Sequence, residues 1–314
     1  MKSFNKKSLK KVWRIIIITV IIYIIISFAI TKIVYDACFV RYDEKSNVDI
    51  PKLSAIIDKR AEVEFQCNDN LLKGYLYGNG QSKGIVVVAP GFHAGADDYL
   101  WQINSFLEYG WDVFAFDATG HCDSEGGSSV GFSQELLDLD AALQYIEDNY
   151  NYPNVFLFGH SRGGYAVCNM VGSEYDITAV VSVSGINSAM EAIMEPAASR
   201  VGFLAYGNYH FLWLYQTMIF GREVVSLSVD EELDKAKVPT LIIQGANDDV
   251  APMDSSSIYS HKEEIDSECV EYYICDIPGQ DGHTNLLFDA DGTANDSLMN
   301  IINQFYSKKS AVSN

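Results

Sequence analysis

The chain has 314 residues, 48% of them apolar and 20% charged, and its 42 Asp and Glu outnumber 22 Lys and Arg for a formal net charge of −20. A chain of this size supports a full hydrophobic core, and its 7 Pro together with the lack of an internal period exclude collagen-like, repeat and low-complexity architectures. So strong an acidic excess repels phosphate backbones, which argues against a nucleic-acid partner.

The charge is unevenly spread. Residues 1–14 hold Lys2, Lys6, Lys7, Lys10, Lys11 and Arg14 with no acid, so every Asp and Glu lies beyond this basic leader. From Ile15 to Thr31 there follow 17 uncharged residues, a helix of roughly 26 Å. That length matches one bilayer span over residues 15–35, with Trp13, Arg14, Lys32 and Tyr35 at the interfaces. The basic flank predicts a cytoplasmic N-terminus and a large domain on the other side of the cell membrane. A cleaved signal is the competing reading, because Ser27-Phe28-Ala29 loosely resembles a small-x-small cleavage site. The apolar run is long for a signal core, and Ala29 lies inside it; both favour an uncleaved anchor.

Residues 36–60 read as a mixed-charge linker, 61–308 as the main domain and 309–314 as a tail. Strands are expected at Val63–Gln66, Leu72–Tyr77, Gly84–Ala89, Asp112–Asp117, Asn154–Phe158, Ile177–Ser184, Thr240–Gln244 and Val270–Ile277. Helices are expected at Tyr99–Tyr109, Ser133–Asn149, Gly163–Gly172, Ser255–Ile265 and Ala294–Tyr306. This alternation predicts an α/β fold with a mostly parallel eight-stranded sheet flanked by helices. In Ser133–Asn149, Leu136, Leu139, Leu143 and Ile146 form an apolar face with acids expected opposite. Between about 186 and 238 no convincing strand occurs, which reads as an inserted helical cap. The six cysteines form no C-x-x-C pair and have no His at metal-ligand spacing. They read mainly as buried thiols; a disulfide such as Cys38–Cys67 stays open, with no pairing chosen.

The stretch Asn154-Val-Phe-Leu-Phe-Gly159-His160-Ser161-Arg162-Gly163-Gly164 runs from an apolar strand into a small-residue helix through G-x-S-x-G. Such a turn needs Gly159 and Gly163, and it lifts the Ser161 hydroxyl above the strand ends as a candidate nucleophile.

Here the chain resembles the α/β-hydrolase superfamily, over roughly residues 60–308. It is most similar to the serine aminopeptidase and monoglyceride-lipase-like branch. The carrying segments are Ala89-Pro90-Gly91-Phe92, Asp117-Ala-Thr-Gly120-His121-Cys122-Asp123-Ser124-Glu125-Gly126, and Gly245-Ala-Asn-Asp248-Asp249-Val250-Ala251-Pro252. Pro90 departs from the branch's usual His, Thr119 from its frequent Arg and Cys122 from Gly. These changes leave the catalytic positions intact and weaken any transfer of substrate class.

A serine hydroxyl needs a base that is itself oriented by a carboxylate. In this fold the chain order is Ser, acid, His. His283, in a loop beyond the last strand, is the expected base; His261 falls within a predicted helix. Asp248 holds the position the resemblance assigns to the acid, with Asp249 its rival. The resemblance also implies an oxyanion hole made by the backbone N–H groups of Phe92 and Arg162. The Arg162 side chain reads as a substrate contact or a structural ion pair. His93, His121 and His160 read as rim or turn residues without a required role.

A second uncharged run, Gly202–Phe220, is not a second span, because a span there would place Ser161 and His283 on opposite faces of the bilayer. Its aromatic residues suit a lid core, an acyl-binding wall or bilayer contact, with Tyr206, Phe211 and Trp213 as candidate substrate contacts. The resemblance to aminopeptidases also implies acidic cap residues that hold a substrate's ammonium group; Glu191 and Glu195, one turn apart on a helix, fit that role or read as a solvated helix face. The expectation is therefore a membrane-anchored serine hydrolase acting on a small-molecule acyl ester, without metal or organic cofactor. The alternatives are an aminopeptidase or amidase acting on peptide-like substrates, and a non-catalytic binding protein on the same scaffold.

Overall fold

The computed structural model describes residues 6–44, 50–78, 80 and 82–310. The first five residues of the basic leader, part of the expected linker and the last four residues of the tail lie outside them.

Eight strands form one sheet: β1 (Ala61–Cys67), β2 (Asn70–Tyr77), β3 (Ile85–Ala89), β4 (Asp112–Phe116), β5 (Val155–His160), β6 (Ile177–Val183), β7 (Thr240–Gly245) and β8 (Val270–Cys275). Their spatial order is β1-β2-β4-β3-β5-β6-β7-β8. The β1–β2 and β2–β4 pairs are antiparallel and all others parallel. The helices are α1 (Lys6–Cys38), α2 (Ile50–Ile57), α3 (Leu100–Glu108), α4 (Gln134–Asn149), α5 (Arg162–Asn169), α6 (Ala189–Val201), α7 (Phe203–Gly207), α8 (Tyr209–Phe220), α9 (Arg222–Val225), α10 (Val229–Lys235) and α11 (Asp296–Ser310).

Both faces of the sheet are covered, which explains why its central strands are apolar at every position. Val87, Leu157, Val180 and Ile242 pack under α4, α5 and α10. Their neighbours Val86, Phe156, Val181 and Ile243 point the other way, beneath α3 and α11. Each fully buried Val, Leu or Phe in these layers contributes about 1.5–3 kcal/mol of transfer free energy.

Helix α4 has the expected apolar face, but two of its acids are not opposite it: Glu135 and Asp138 are buried. Asp138 accepts from the Thr119 amide (2.7 Å), the Thr119 hydroxyl (2.7 Å) and the Gln134 amide (2.8 Å). These bonds supply the compensation that a buried carboxylate needs. The helix expected at Ser255–Ile265 shrinks to a short 3-10 turn at Ile258–His261. There the Ser260 hydroxyl donates to the carbonyls of Ser255 (2.7 Å) and Ser257 (2.6 Å), local bonds that compete with a helix ladder.

Helix α1 includes an apolar stretch, Leu9–Cys38, with a mean hydropathy of 2.6 and only 11% of its span window buried. It is long and apolar enough to cross a membrane, and so little burial sets it apart from a core helix. The chain leaving it is not a free tether. Arg41 donates to the carbonyls of Cys122 (2.7 Å), Ser124 (2.8 Å) and Gly126 (2.9 Å). The Tyr42 amide donates to the Gly120 carbonyl at 2.9 Å, and the Ser129 amide to that of Phe39 at 3.0 Å. Residues 39–42 are thus strapped to the loop after β4, within the segment expected as linker, which also contains α2. The six cysteines are free thiols, and Cys38 and Cys67 are not joined.

Candidate active site

Ser161 sits between β5 and α5 with φ +56° and ψ −115°, a conformation costly for a residue with a side chain. Two glycines make the turn fit. A Cβ on Gly159 would strike the Gly163 carbonyl, and one on Gly163 would strike the Ala89 carbonyl. The start of α5 therefore abuts the end of β3, as the G-x-S-x-G reading expects.

The structure brings Ser161, His283 and Asp248 together from three loops beyond strand ends. His283 Nε2 lies 2.9 Å from Ser161 Oγ, and its Nδ1 lies 2.9 and 3.0 Å from the two Asp248 oxygens. The Asp248 side chain is fully buried, whereas its rival Asp249 is exposed. Asp248 Oδ1 accepts from the amides of Val250 (2.9 Å) and Ala251 (2.8 Å), and Oδ2 from the Gln244 amide (3.0 Å). Burial pushes this carboxyl up, but the hydrogen bond and charge of His283 and the two amides more than offset it, leaving it below its usual value. A carboxylate held ionised against Nδ1 fixes the imidazole with Nε2 free to accept a proton from Ser161.

Arg162 opens α5, so its amide belongs to the first-turn N–H groups that a helix leaves unbonded. Phe92 follows β3 in the loop against that turn, and the Arg162 guanidinium lies over its ring at 5.6 Å. The Arg162 side chain is fully buried in a 2.6 Å ion pair with Glu135. Of its two expected roles it takes the structural one. Burial drives the Glu135 carboxyl up and Arg162 offsets only part of that rise, leaving it above its usual value.

His160 has a larger part than the sequence indicated. Its Nε2 lies 2.9 Å from the His283 carbonyl and its Nδ1 3.0 Å from Tyr99 Oη, which accepts from the Gly91 amide at 2.9 Å. A carbonyl only accepts, so Nε2 carries the proton and Tyr99 donates to Nδ1. Burial, with the neighbouring His283, lowers the His160 pKa to about 3, which keeps the ring neutral in this chain of bonds. The network joins the loops of Phe92, Ser161 and His283. Tyr99 gave no sequence signal, because its partners are 8 and 61 residues away.

His93 stacks on Phe92 with ring centroids 3.9 Å apart. Buried His121 donates from Nδ1 to the Thr119 carbonyl at 3.0 Å, and burial lowers its pKa to about 3. Asp117 holds the two loops together by accepting from the Ala96 amide (2.9 Å), the Asp123 amide (3.2 Å) and the Tyr75 hydroxyl (3.0 Å). Its burial raises its pKa to about 6.

Of the candidate substrate contacts, Tyr206 is exposed and Phe211 packs against Tyr23 of α1. Trp213 packs on a cluster that includes Phe39, Met190 and Met194 and that also touches Phe92. Glu195 accepts from the Ser255 hydroxyl, and Glu191 lies 3.5 Å from His261 Nε2; both bind the cap to the segment after β7. Asp230, His261 and Glu264 bring potential metal-ligand atoms within 4.8 Å of one another. His261 and Glu264 are three residues apart in the turn after β7, and only the tertiary fold brings Asp230 of α10 to them.

Residues 80–205 match the family described as serine aminopeptidase, S33. An esterase from Pyrococcus furiosus superposes with a TM-score of 0.65 and 20% identity, covering 86% of this chain and 98% of that one. Est1E from Butyrivibrio proteoclasticus, solved with ferulic acid bound, gives 0.58 and 19%, covering 79% of this chain and 99% of its own. An esterase from Exiguobacterium antarcticum gives 0.54 and 16%, covering 79% and 100%. No curated protein matched the sequence. With the strand order and the turn after β5, these likenesses define the class of fold: the chain has the α/β-hydrolase fold. Within that class, the segment similar to the serine aminopeptidases contains both Phe92 and Ser161.

Proposed function

We propose that the chain is a membrane-anchored serine hydrolase that cleaves a carboxylic ester through an acyl-enzyme on Ser161. The observation that carries this reading is the continuous line of contacts from Ser161 Oγ through the His283 ring to buried Asp248.

In this mechanism His283 Nε2 takes the Ser161 proton as Oγ attacks the ester carbonyl. The tetrahedral oxyanion is held by the backbone N–H groups of Phe92 and Arg162. Asp248 stabilises the imidazolium that forms. As the intermediate collapses, the C–O bond to the alcohol breaks and His283 passes its proton to the departing oxygen. Water, deprotonated by the same Nε2, then attacks the acyl-enzyme and regenerates the Ser161 hydroxyl. Residues 1–14 form a cytoplasmic leader, 15–35 span the cell membrane, and 61–308, with the cap at about 186–238, lie on the far side. The split of basic leader from acidic domain supports that orientation.

A fluorophosphonate probe tests the nucleophile: the wild type labels and Ser161→Ala does not. Equal labelling of folded Ser161→Ala overturns the assignment. The likeness to serine aminopeptidases favours the second reading, hydrolysis of a peptide-like amide. Parallel assays of p-nitrophenyl esters and aminoacyl amides separate the two, and preference for amides reverses the ranking. Glu191 and Glu195 each direct one carboxylate oxygen to the segment after β7.

A further inference from the structure

We propose that helices α7 and α8 of the cap are embedded, beside α1, in the bilayer leaflet that faces the catalytic domain. The proposal rests on the reading of α1 as a membrane span.

Helix α8 packs along α1, and the two advance in the same direction. A polar level marks one end of the contact: Lys32 Nζ lies 3.1 Å from Tyr215 Oη, which donates to Asp36 at 2.6 Å. Such a charged and tyrosine-bearing level belongs at the membrane interface. Below it, Phe28 meets Tyr215 edge-on at 5.9 Å, and Tyr23 meets Phe211 at 6.1 Å. Tyr23 is the midpoint of the uncharged segment Ile15–Thr31. It lies nine residues below Lys32, about 13 Å along the helix, against a leaflet of about 15 Å of hydrocarbon. Whatever touches Tyr23 in a spanning α1 is therefore in hydrocarbon too.

The composition of the cap agrees. Residues 203–220 contain no Asp, Glu, Lys or Arg, and Arg200 and Arg222 flank them. Phe203 is 81% exposed, and Leu204, Tyr206 and Leu214 are also exposed. Such a patch continuous with a spanning helix is an apolar surface matched to lipid, and flanking cations suit anionic headgroups. The backbone of α7 and α8 is helical, so its polar groups need no water there. Strapping of residues 39–42 to the loop after β4 holds the domain in the orientation that dips the cap. The buried side of α8 contributes Leu212 to the cluster that reaches Phe92, so the embedded surface and the candidate site share one end of the domain.

Full-length protein in phosphatidylcholine–phosphatidylglycerol vesicles, carrying photoreactive benzoylphenylalanine at one position, tests the placement. Position 17 reports the anchor, 203 and 214 the cap, and exposed Tyr109 the water-facing domain. Lipid adducts at 17, 203 and 214 but not at 109 are expected. Adducts at 17 with none at 203 or 214 overturn the proposal while leaving the anchor intact, as do dimers crosslinked through 203 in place of lipid. Absence of lipid adducts at 17 removes the anchor reading and the proposal with it.

Discussion

His160 donates its Nε2–H to the main-chain carbonyl of His283 across 2.9 Å, so the residue before the candidate nucleophile holds the loop that bears the proposed base. The same ring accepts from Tyr99, which also receives the Gly91 amide beside the proposed oxyanion loop. Three loops thus share one buried imidazole.

Tyr99→Phe removes the hydroxyl and keeps the ring. A lost buried hydrogen bond costs about 1–3 kcal/mol, and each 1.36 kcal/mol felt in the transition state is tenfold in rate. A fall in kcat of about tenfold or more with little change in KM is expected. Steady-state hydrolysis of p-nitrophenyl acetate checks it, and unchanged kcat removes the network from the mechanism.

Glu135→Ala leaves the fully buried Arg162 guanidinium without its ion-pair partner. Breaking such a pair from one side costs about 3–5 kcal/mol, whereas Glu135→Gln retains a hydrogen-bond acceptor and is milder. Urea unfolding of the two variants gives the order directly. Equal stability for Glu135→Ala and wild type means that the pair is not structural.

His121 is neutral in the fold, with its pKa lowered to about 3 by burial and by the nearby Arg162 charge. Its unfolded value is about 6.5. As pH falls from 6.5 toward 3, the unfolded chain takes up a proton that the folded chain does not. The contribution is full above pH 6.5 and declines at up to about 1.36 kcal/mol per pH unit below it. Stability profiles of wild type and His121→Asn should therefore converge on acidification. Parallel profiles across that window contradict the neutral buried ring.

Phe39, 4% exposed, packs edge-on against both Phe92 and Phe132 just beyond the apolar helix. Phe39→Ala should cost about 3–5 kcal/mol of stability. Because Phe92 loses a supporting ring, turnover in the proposed ester hydrolysis should fall as well. Calorimetry and kinetics on the full chain separate the two effects, and a wild-type melting temperature shows residues 39–42 to be a loose tether.

All eight strands could be located from the sequence: the central ones, buried on both faces, are apolar at successive positions, whereas β1 alternates exposed with buried residues. The Ser161 turn was equally visible, since Gly159 and Gly163 answer a steric demand confined to five residues. The helix expected at Ser255–Ile265 failed for an equally local reason, the capture of the Ser260 hydroxyl by neighbouring carbonyls. Glu135 and Asp138 were misplaced on solvent, because helical periodicity carries no information about the Arg162 and Thr119 groups that receive them.

The uneven charge, the apolar first helix, the strand alternation and the Ser161 turn follow from the sequence alone, since each depends on residues within a turn or two of one another. Tertiary structure alone put Asp248 rather than Asp249 against His283, gave Arg162 its buried partner, made His160 the link between loops and turned residues 39–42 into a strap. These outcomes depend on contacts between residues far apart in the chain, and only the packed sheet and its loops set those distances.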